Sequence, residues 1–286
     1  MSDAFRKFDL TGKTALVTGG ATGIGYYMTR GLMSSGATVM VAARREDVLQ
    51  QGAAKLRSES KAGDILCHSV DLSQRDSIKA LSEHAIKAMG GVDIFIGNAG
   101  QDIFEKVEAI SDDVIDRLFQ VNTSANIELV RAFLPGMRKK RWGRIIFSSA
   151  GASLAAPAQD GMGIYSASKA ALNSFTRTIA TEAGHDGVTA NALILGGYLT
   201  PMMAEHLALL EQTKGPAAAK GFTDSFASMM ALGRMGRCDE VEGVIQMLAS
   251  NAGSYISGTC MAIDGGLGAM LRPNPPPAEP VYPPPF

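Results

Sequence analysis

Tyr165-Ser166-Ala167-Ser168-Lys169 sets a phenol and an amine four residues apart. On a helix that spacing puts both polar heads on one face, where they can converge on a single site. A free tyrosine ionises near pH ~10 and exchanges protons poorly at neutral pH. A neighbouring ammonium stabilises the phenolate, each unit of downward shift requiring about 1.4 kcal/mol of differential interaction. The pair is therefore a candidate proton donor and acceptor tuned towards the operating pH. Such spacing is common on helix surfaces, so its meaning depends on its surroundings.

A second chemical feature lies near the start, in Thr18-Gly19-Gly20-Ala21-Thr22-Gly23-Ile24-Gly25. Between a strand and a helix, glycines there allow a sharp turn. They also let phosphate oxygens approach the unpaired amides of a helix N-terminus. This context reads as a dinucleotide site holding Gly19, Thr22, Gly23, Ile24 and Gly25. The next strand ends in Ala42-Ala43-Arg44-Arg45. A carboxylate in that place would bind ribose hydroxyls and repel a 2′-phosphate. A small residue followed by arginine leaves room for the phosphate and can bind it with charge-assisted hydrogen bonds. The expected cofactor is NADP(H), held by Arg44 with Arg45 beside it; Thr22 supplies no second basic group.

These residues need elements to position them. Strands are predicted at Thr14–Thr18, Thr38–Ala42, Asp64–Ser69, Val92–Gly97, Arg144–Ser148 and Val188–Leu195. Helical spacing starts near Ile24 and recurs over Ser77–Met89, Asp112–Met137 and Tyr165–Ala183. Alternating strands and helices, with strands apolar throughout, imply a parallel sheet covered on both faces. The expected fold class is α/β: one doubly wound, Rossmann-type domain over residues 8–271. Thr200–Leu232 interrupts the rhythm with two Met- and Ala-rich helical pieces after a strand's carboxyl end, where such sheets bind ligands. Met202, Met203, Leu207, Leu209, Leu210, Phe222, Phe226, Met229 and Met230 give it an apolar face. It reads as a lid over a mostly hydrophobic substrate, or as ordinary packing. The tail, Pro273–Phe286, is mostly proline and predicts an extended arm.

The 286 residues carry a formal net charge of −1 and are 46% hydrophobic. That is ample for a packed core and gives no electrostatic footprint for nucleic acid or an anionic membrane. No secretory or membrane-spanning run is apparent, so a soluble cytoplasmic protein is expected. Cys67, Cys238 and Cys260 are far apart and read as buried small apolar residues; with four scattered histidines, no metal site is expected.

Taken together, the motifs resemble those of the classical short-chain dehydrogenase/reductase family. Thr18–Gly25 looks like its TGxxxGxG loop, and Gly97-Asn98-Ala99-Gly100 like its NAG motif. Asn122 matches its asparagine and Tyr165/Lys169 its YxxxK. Asp71-Leu72 resembles the pair contacting the adenine, and Ile263-Asp264-Gly265-Gly266 the carboxyl-terminal DGG strand. They occur in the family's order through about nine-tenths of the chain. The resemblance implies interconversion of a carbonyl and an alcohol by hydride transfer, Tyr165 acting on the oxygen's proton. Lys169 would bind the nicotinamide ribose and lower the tyrosine's pKa. Asn122 would hold a backbone kink and a water, and Asn98, Ala99 and Gly100 would serve the cofactor, the sheet, or both. A homotetramer or dimer joined through long helices is implied as well.

Two positions depart from the pattern. The substrate-binding serine usually stands thirteen residues before the tyrosine, which here is Ala152. Ser149 is the favoured replacement, with Ser148 and Ser153 as rivals and a longer loop, Leu154–Ile164, absorbing the difference. Leu195 stands where proline normally stiffens the turn, so a looser backbone is expected around Gly196-Gly197, with Thr200 still able to bind the carboxamide. The alternative reading is an NADP(H)-binding regulatory or scaffold protein with an impaired site.

Overall fold

The computed structural model describes residues 3–60, 62–154 and 161–269. The proline-rich tail, the end of the expected domain at residues 270–271 and most of the 154–164 loop lie outside the described residues. The chain runs α1 (Asp3–Arg6), β1 (Thr14–Thr18), α2 (Gly23–Ser34), β2 (Thr38–Ala43), α3 (Glu46–Glu59), β3 (Ile65–Ser69), α4 (Arg75–Met89) and β4 (Ile94–Gly97). Then come α5 (Asp112–Phe119), a π-helical turn (Gln120–Ser124), α6 (Ala125–Lys140), β5 (Gly143–Ala150), α7 (Gly163–Ala183) and β6 (Val188–Leu195). The described chain closes with α8 (Pro201–Lys214), α9 (Pro216–Ser228), α10 (Glu242–Ala249) and β7 (Cys260–Ile263).

All seven strands pair in parallel, in the order β3-β2-β1-β4-β5-β6-β7. Alternate side chains enter opposite layers. On one face Val17, Val39, Val41, Ile94, Ile96 and Ile146 pack against α2, α3 and α10. On the other Leu16, Met40, Phe95, Ile145 and Phe147 pack against α4, α6 and α7. Both faces are dry, hence the unbroken apolar strands. The order reverses between β1 and β4, so the crevice for a ligand opens at their carboxyl ends.

Four expectations need correction. Asp112–Met137 is not one helix: the π-helical turn divides it, with Asn122 at its centre. The backbone beyond β6 is not loose. A Cβ on Gly196 would lie 2.6 Å from Asp264 Cα, and one on Gly197 would collide with the Phe226 ring. Close packing there, not a missing proline, accounts for both glycines. The insert's apolar face is only partly covered. Met203, Leu207, Leu210, Phe222, Phe226 and Met229 are half-buried and Met230 is buried, whereas Met202 and Leu209 are exposed on α8, which buries no residue fully. Of the cysteines, all free, only Cys238 is fully buried.

Candidate active site

The glycine loop leaves β1 and enters α2 with no side-chain cap and no acidic residue in the first turn. The first amides of a helix have no partner within it, and the dipole adds partial positive charge. Gly23 sits in the left-handed region at φ 55°, where glycine is favoured. A Cβ on Gly25 would lie 2.1 Å from the Gly19 carbonyl oxygen and 2.5 Å from Asn98 Nδ2. The loop is thus closed tightly on its inner side, where Gly19 N also donates to Ala42 O at 2.7 Å, while the start of α2 has no side-chain cap. This is a cradle that fits a pyrophosphate.

Arg44 follows β2 on the same edge of the sheet. Its carbonyl accepts from Ser69 Oγ at 3.2 Å. Its guanidinium is exposed and, among the described residues, engaged in no hydrogen bond or ion pair. Arg45 occupies the N-cap of α3. Asp71 is held locally, accepting from Ser73 N at 2.9 Å and Ser73 Oγ at 2.7 Å. The Leu72 side chain is buried in the core.

Asn98 ties three strand ends together. Its Nδ2 donates to Thr18 O at 3.2 Å, and its Oδ1 accepts from Ser148 Oγ at 3.0 Å. The amides of Asn98 and Ala99 both donate to Thr18 Oγ1 at 3.1 Å. Thus Asn98 and Ala99 shape the floor of the crevice. Gly100 follows, and a Cβ there would sit 3.0 Å from Lys169 Nζ and 3.1 Å from Asn122 Oδ1. The glycine, the lysine and the asparagine therefore meet at one point.

The π-helical turn at Asn122 frees its carbonyl from the regular helical ladder, and Asn126 Nδ2 donates to that oxygen at 2.8 Å. The Asn122 amide clamps Gln101: Oδ1 accepts from Gln101 N at 2.8 Å, and Nδ2 donates to Gln101 O at 2.9 Å. Nδ2 also donates to Ser168 Oγ on α7 at 3.0 Å.

Tyr165 and Lys169 share one face of α7, with Nζ 6.0 Å from the phenol ring centre. Lys169 is 5% exposed, and Nζ donates to Ser148 O at 2.9 Å. Burial lowers its ammonium to about 8, opposed by the Asp102 carboxylate. The expected downward shift of the tyrosine is absent. Burial pushes the Tyr165 hydroxyl up to about 12, and the charge of Asp102 adds to the effect. The lysine's hydrogen bond runs to the β5 backbone, away from the phenol.

The three serines separate by face. Ser148 points to α2, where its Oγ lies 3.9 Å from Met28 Sδ as well as bonding Asn98. Ser149 points to α7; its Oγ is 3.0 Å from Ser153 Oγ and donates to Lys169 O at 3.3 Å. Ser153 donates to Ala150 O at 2.6 Å and accepts from Asn173 Nδ2 at 2.8 Å. Among the described residues no hydrogen bond joins any of the three to the Tyr165 hydroxyl. Gly196 N donates to Ile263 O at 3.3 Å, and Thr200 caps α8, accepting from Met203 N at 3.2 Å. Asp102 went unnoticed in the sequence, where it is one acid among several between residues 102 and 116.

Residues 13–209 match the protein family described as short chain dehydrogenase. The chain is 29% identical over 260 residues to a D-beta-hydroxybutyrate dehydrogenase of Rhizobium meliloti, covering 90% of this chain and 99% of the relative. It is 31% identical over 258 residues to a 3-oxoacyl-[acyl-carrier-protein] reductase of Pseudomonas aeruginosa, covering 90% and 98%. Among solved structures it is similar to an L-sorbose reductase of Gluconobacter frateurii complexed with NADPH and L-sorbose. That likeness has a TM-score of 0.87 at 28% identity over 93% of this chain and 100% of the other. No helix of the described residues is long and apolar enough to cross a membrane.

Proposed function

The chain belongs to the classical short-chain dehydrogenase/reductase family, and from that premise we propose that it is an NADP(H)-dependent carbonyl reductase and alcohol dehydrogenase. The observation that carries the reading is the meeting of Gly100, Asn122 and Lys169 beside Tyr165, at the sheet edge that also bears the uncapped start of α2. The uncapped amides of Gly23, Ile24 and Gly25 hold the pyrophosphate, with Gly19 and Thr22 shaping the loop. The unengaged Arg44 guanidinium takes the 2′-phosphate, with Arg45 beside it. Asp71 and Leu72 line the adenine side. Asn98, Ala99, Gly100, Gly196 and Thr200 line the nicotinamide side. The bound cofactor supplies hydride to a carbonyl carbon, or accepts it from an alcohol.

Tyr165, protonated at neutral pH, gives its proton to the carbonyl oxygen, and the buried Lys169 ammonium stabilises the phenolate left behind. Asn122 acts on position: it fixes Gln101 and the start of α7, so phenol and amine stay in register. Ser149, with Ser153 behind it, is the hydroxyl nearest in place to hold the substrate oxygen. The relatives named above act on 3-hydroxybutyrate, an acyl-carrier-protein thioester and a ketose by their names, which differ in charge. Homology alone therefore leaves the substrate open. The same reading holds the protein to be a cytoplasmic dimer or tetramer.

The test is the fall in nicotinamide absorbance with NADPH and with NADH across a panel of ketones. Turnover preferring NADPH is expected. Tight NADPH binding with no turnover on any ketone favours a regulatory protein, and a preference for NADH overturns the role given to Arg44.

A further inference from the structure

The segment after Gly100 is pinned at both ends across the start of α7. At one end the Asn122 amide takes both backbone groups of Gln101, whose side chain accepts from Arg117 Nε at 3.0 Å. At the other, Glu105 N donates to Gly161 O at 3.0 Å, two residues before α7 begins. Residues 102–104 are thus drawn over the turn that carries Tyr165. Asp102 is exposed there, and among the described residues no hydrogen bond or ion pair engages its carboxylate. Its charge nevertheless reaches both Tyr165 and Lys169. Exposed apolar side chains follow on the same segment: Phe104, whose backbone lies against Gly161, and Val107, whose side chain approaches Gly163 at the start of α7.

An exposed carboxylate without a partner, on a segment held at both ends beside the start of α7, is an acceptor open to a ligand's donor. We propose that Asp102 is a specificity-determining residue that accepts a hydrogen bond from a hydroxyl or ammonium group on the carbon next to the reacting carbonyl. This assignment rests on the carbonyl-reductase reading above. The substrate class is then an α-hydroxy or α-amino ketone, with an apolar remainder lying against Phe104 and Val107. Oxidation would take the matching vicinal diol or amino alcohol. Asp102 makes and breaks no bond; hydride and proton pass as described above. The same charge disfavours substrates bearing a carboxylate near the carbonyl, since two like charges at close range repel.

The test compares kcat/KM with NADPH for butanone, 1-hydroxy-2-butanone, 1-amino-2-butanone and acetoacetate, in wild type, Asp102→Asn and Asp102→Glu. In the wild type the hydroxy and amino ketones are preferred over butanone, and acetoacetate is disfavoured. In Asp102→Asn the hydroxyketone-to-butanone ratio falls about tenfold, and more for the amine. The acetoacetate-to-butanone ratio rises, and Asp102→Glu retains part of the donor preference. Ratios unchanged between wild type and Asp102→Asn overturn the assignment. If the melting temperature falls while the ratios hold, Asp102 serves the dipole of α7 instead. No turnover of any ketone by the wild type overturns the carbonyl-reductase reading and, with it, this one.

Discussion

Replacing Lys169 by methionine should abolish activity and yet stabilise the protein. Burial takes the lysine from an ordinary 10.5 to about 8. At about 1.4 kcal/mol per pH unit, holding the charge costs about 3 kcal/mol at neutral pH. Methionine is of similar length and removes that cost. It leaves the Ser148 carbonyl without the donor at 2.9 Å, a loss of about 1 kcal/mol. The net gain is about 2 kcal/mol, or a rise of about 3–5 °C in melting temperature for a domain of this size. The sign with pH follows from linkage. The folded pKa is depressed, so the wild type carries the full cost below about 8, sheds it between 8 and 10.5, and carries none above. The melting difference between variant and wild type should therefore be largest at pH 6–7, pass through zero near pH ~10 and turn slightly negative above it, where only the lost hydrogen bond remains. Differential scanning calorimetry across that range checks it. A destabilised variant, or a difference that does not change with pH, would refute the claim that Lys169 is a buried charge held at the expense of stability.

Other outcomes follow from the same geometry. Arg44→Ala should weaken NADPH binding by about 10–100-fold, as expected for a lost charge-assisted contact, and leave NADH binding nearly unchanged, read by fluorescence titration. Gly25→Ala drives a Cβ into the Gly19 carbonyl and Asn98; a loss of roughly 1–3 kcal/mol in urea unfolding and of cofactor binding is expected. Carbonyl reduction should slow as pH rises through about 8, where Lys169 loses its charge, while Tyr165 stays protonated. In Asp102→Asn that break in the pH profile should move lower, because the carboxylate favours the ammonium.

The fold was largely readable because the inner strands β1, β2, β4, β5 and β6 are buried on both faces and most of the helices bury one. Val188–Leu195 and Thr14–Thr18 were bounded correctly from their apolar runs alone. The glycine turn after β1 was readable for the same kind of reason: a turn that admits no Cβ at Gly25 must be spelled with glycine. What escaped was set by tertiary contact. The π-helical turn at Asn122 is invisible to a 3.6-residue period, which runs through it. Gly196 and Gly197 looked like slack but are packed against Asp264 and Phe226. The choice among Ser148, Ser149 and Ser153 turns on which way the end of β5 faces, and strand alternation separates the first two only once the sheet is known. Asp102 had no periodic signal; its place depends on the clamp at Gln101 and the contact with Gly161.

The central claim is that the Tyr165 hydroxyl delivers the proton to the carbonyl oxygen. The most direct measurement is single-turnover decay of NADPH absorbance in Tyr165→Phe, mixed with a ketone the wild type reduces. A loss of about 10²–10⁴-fold in the reduction step, with NADPH affinity retained, is the predicted result. Reduction at the wild-type rate by the phenylalanine variant would contradict it.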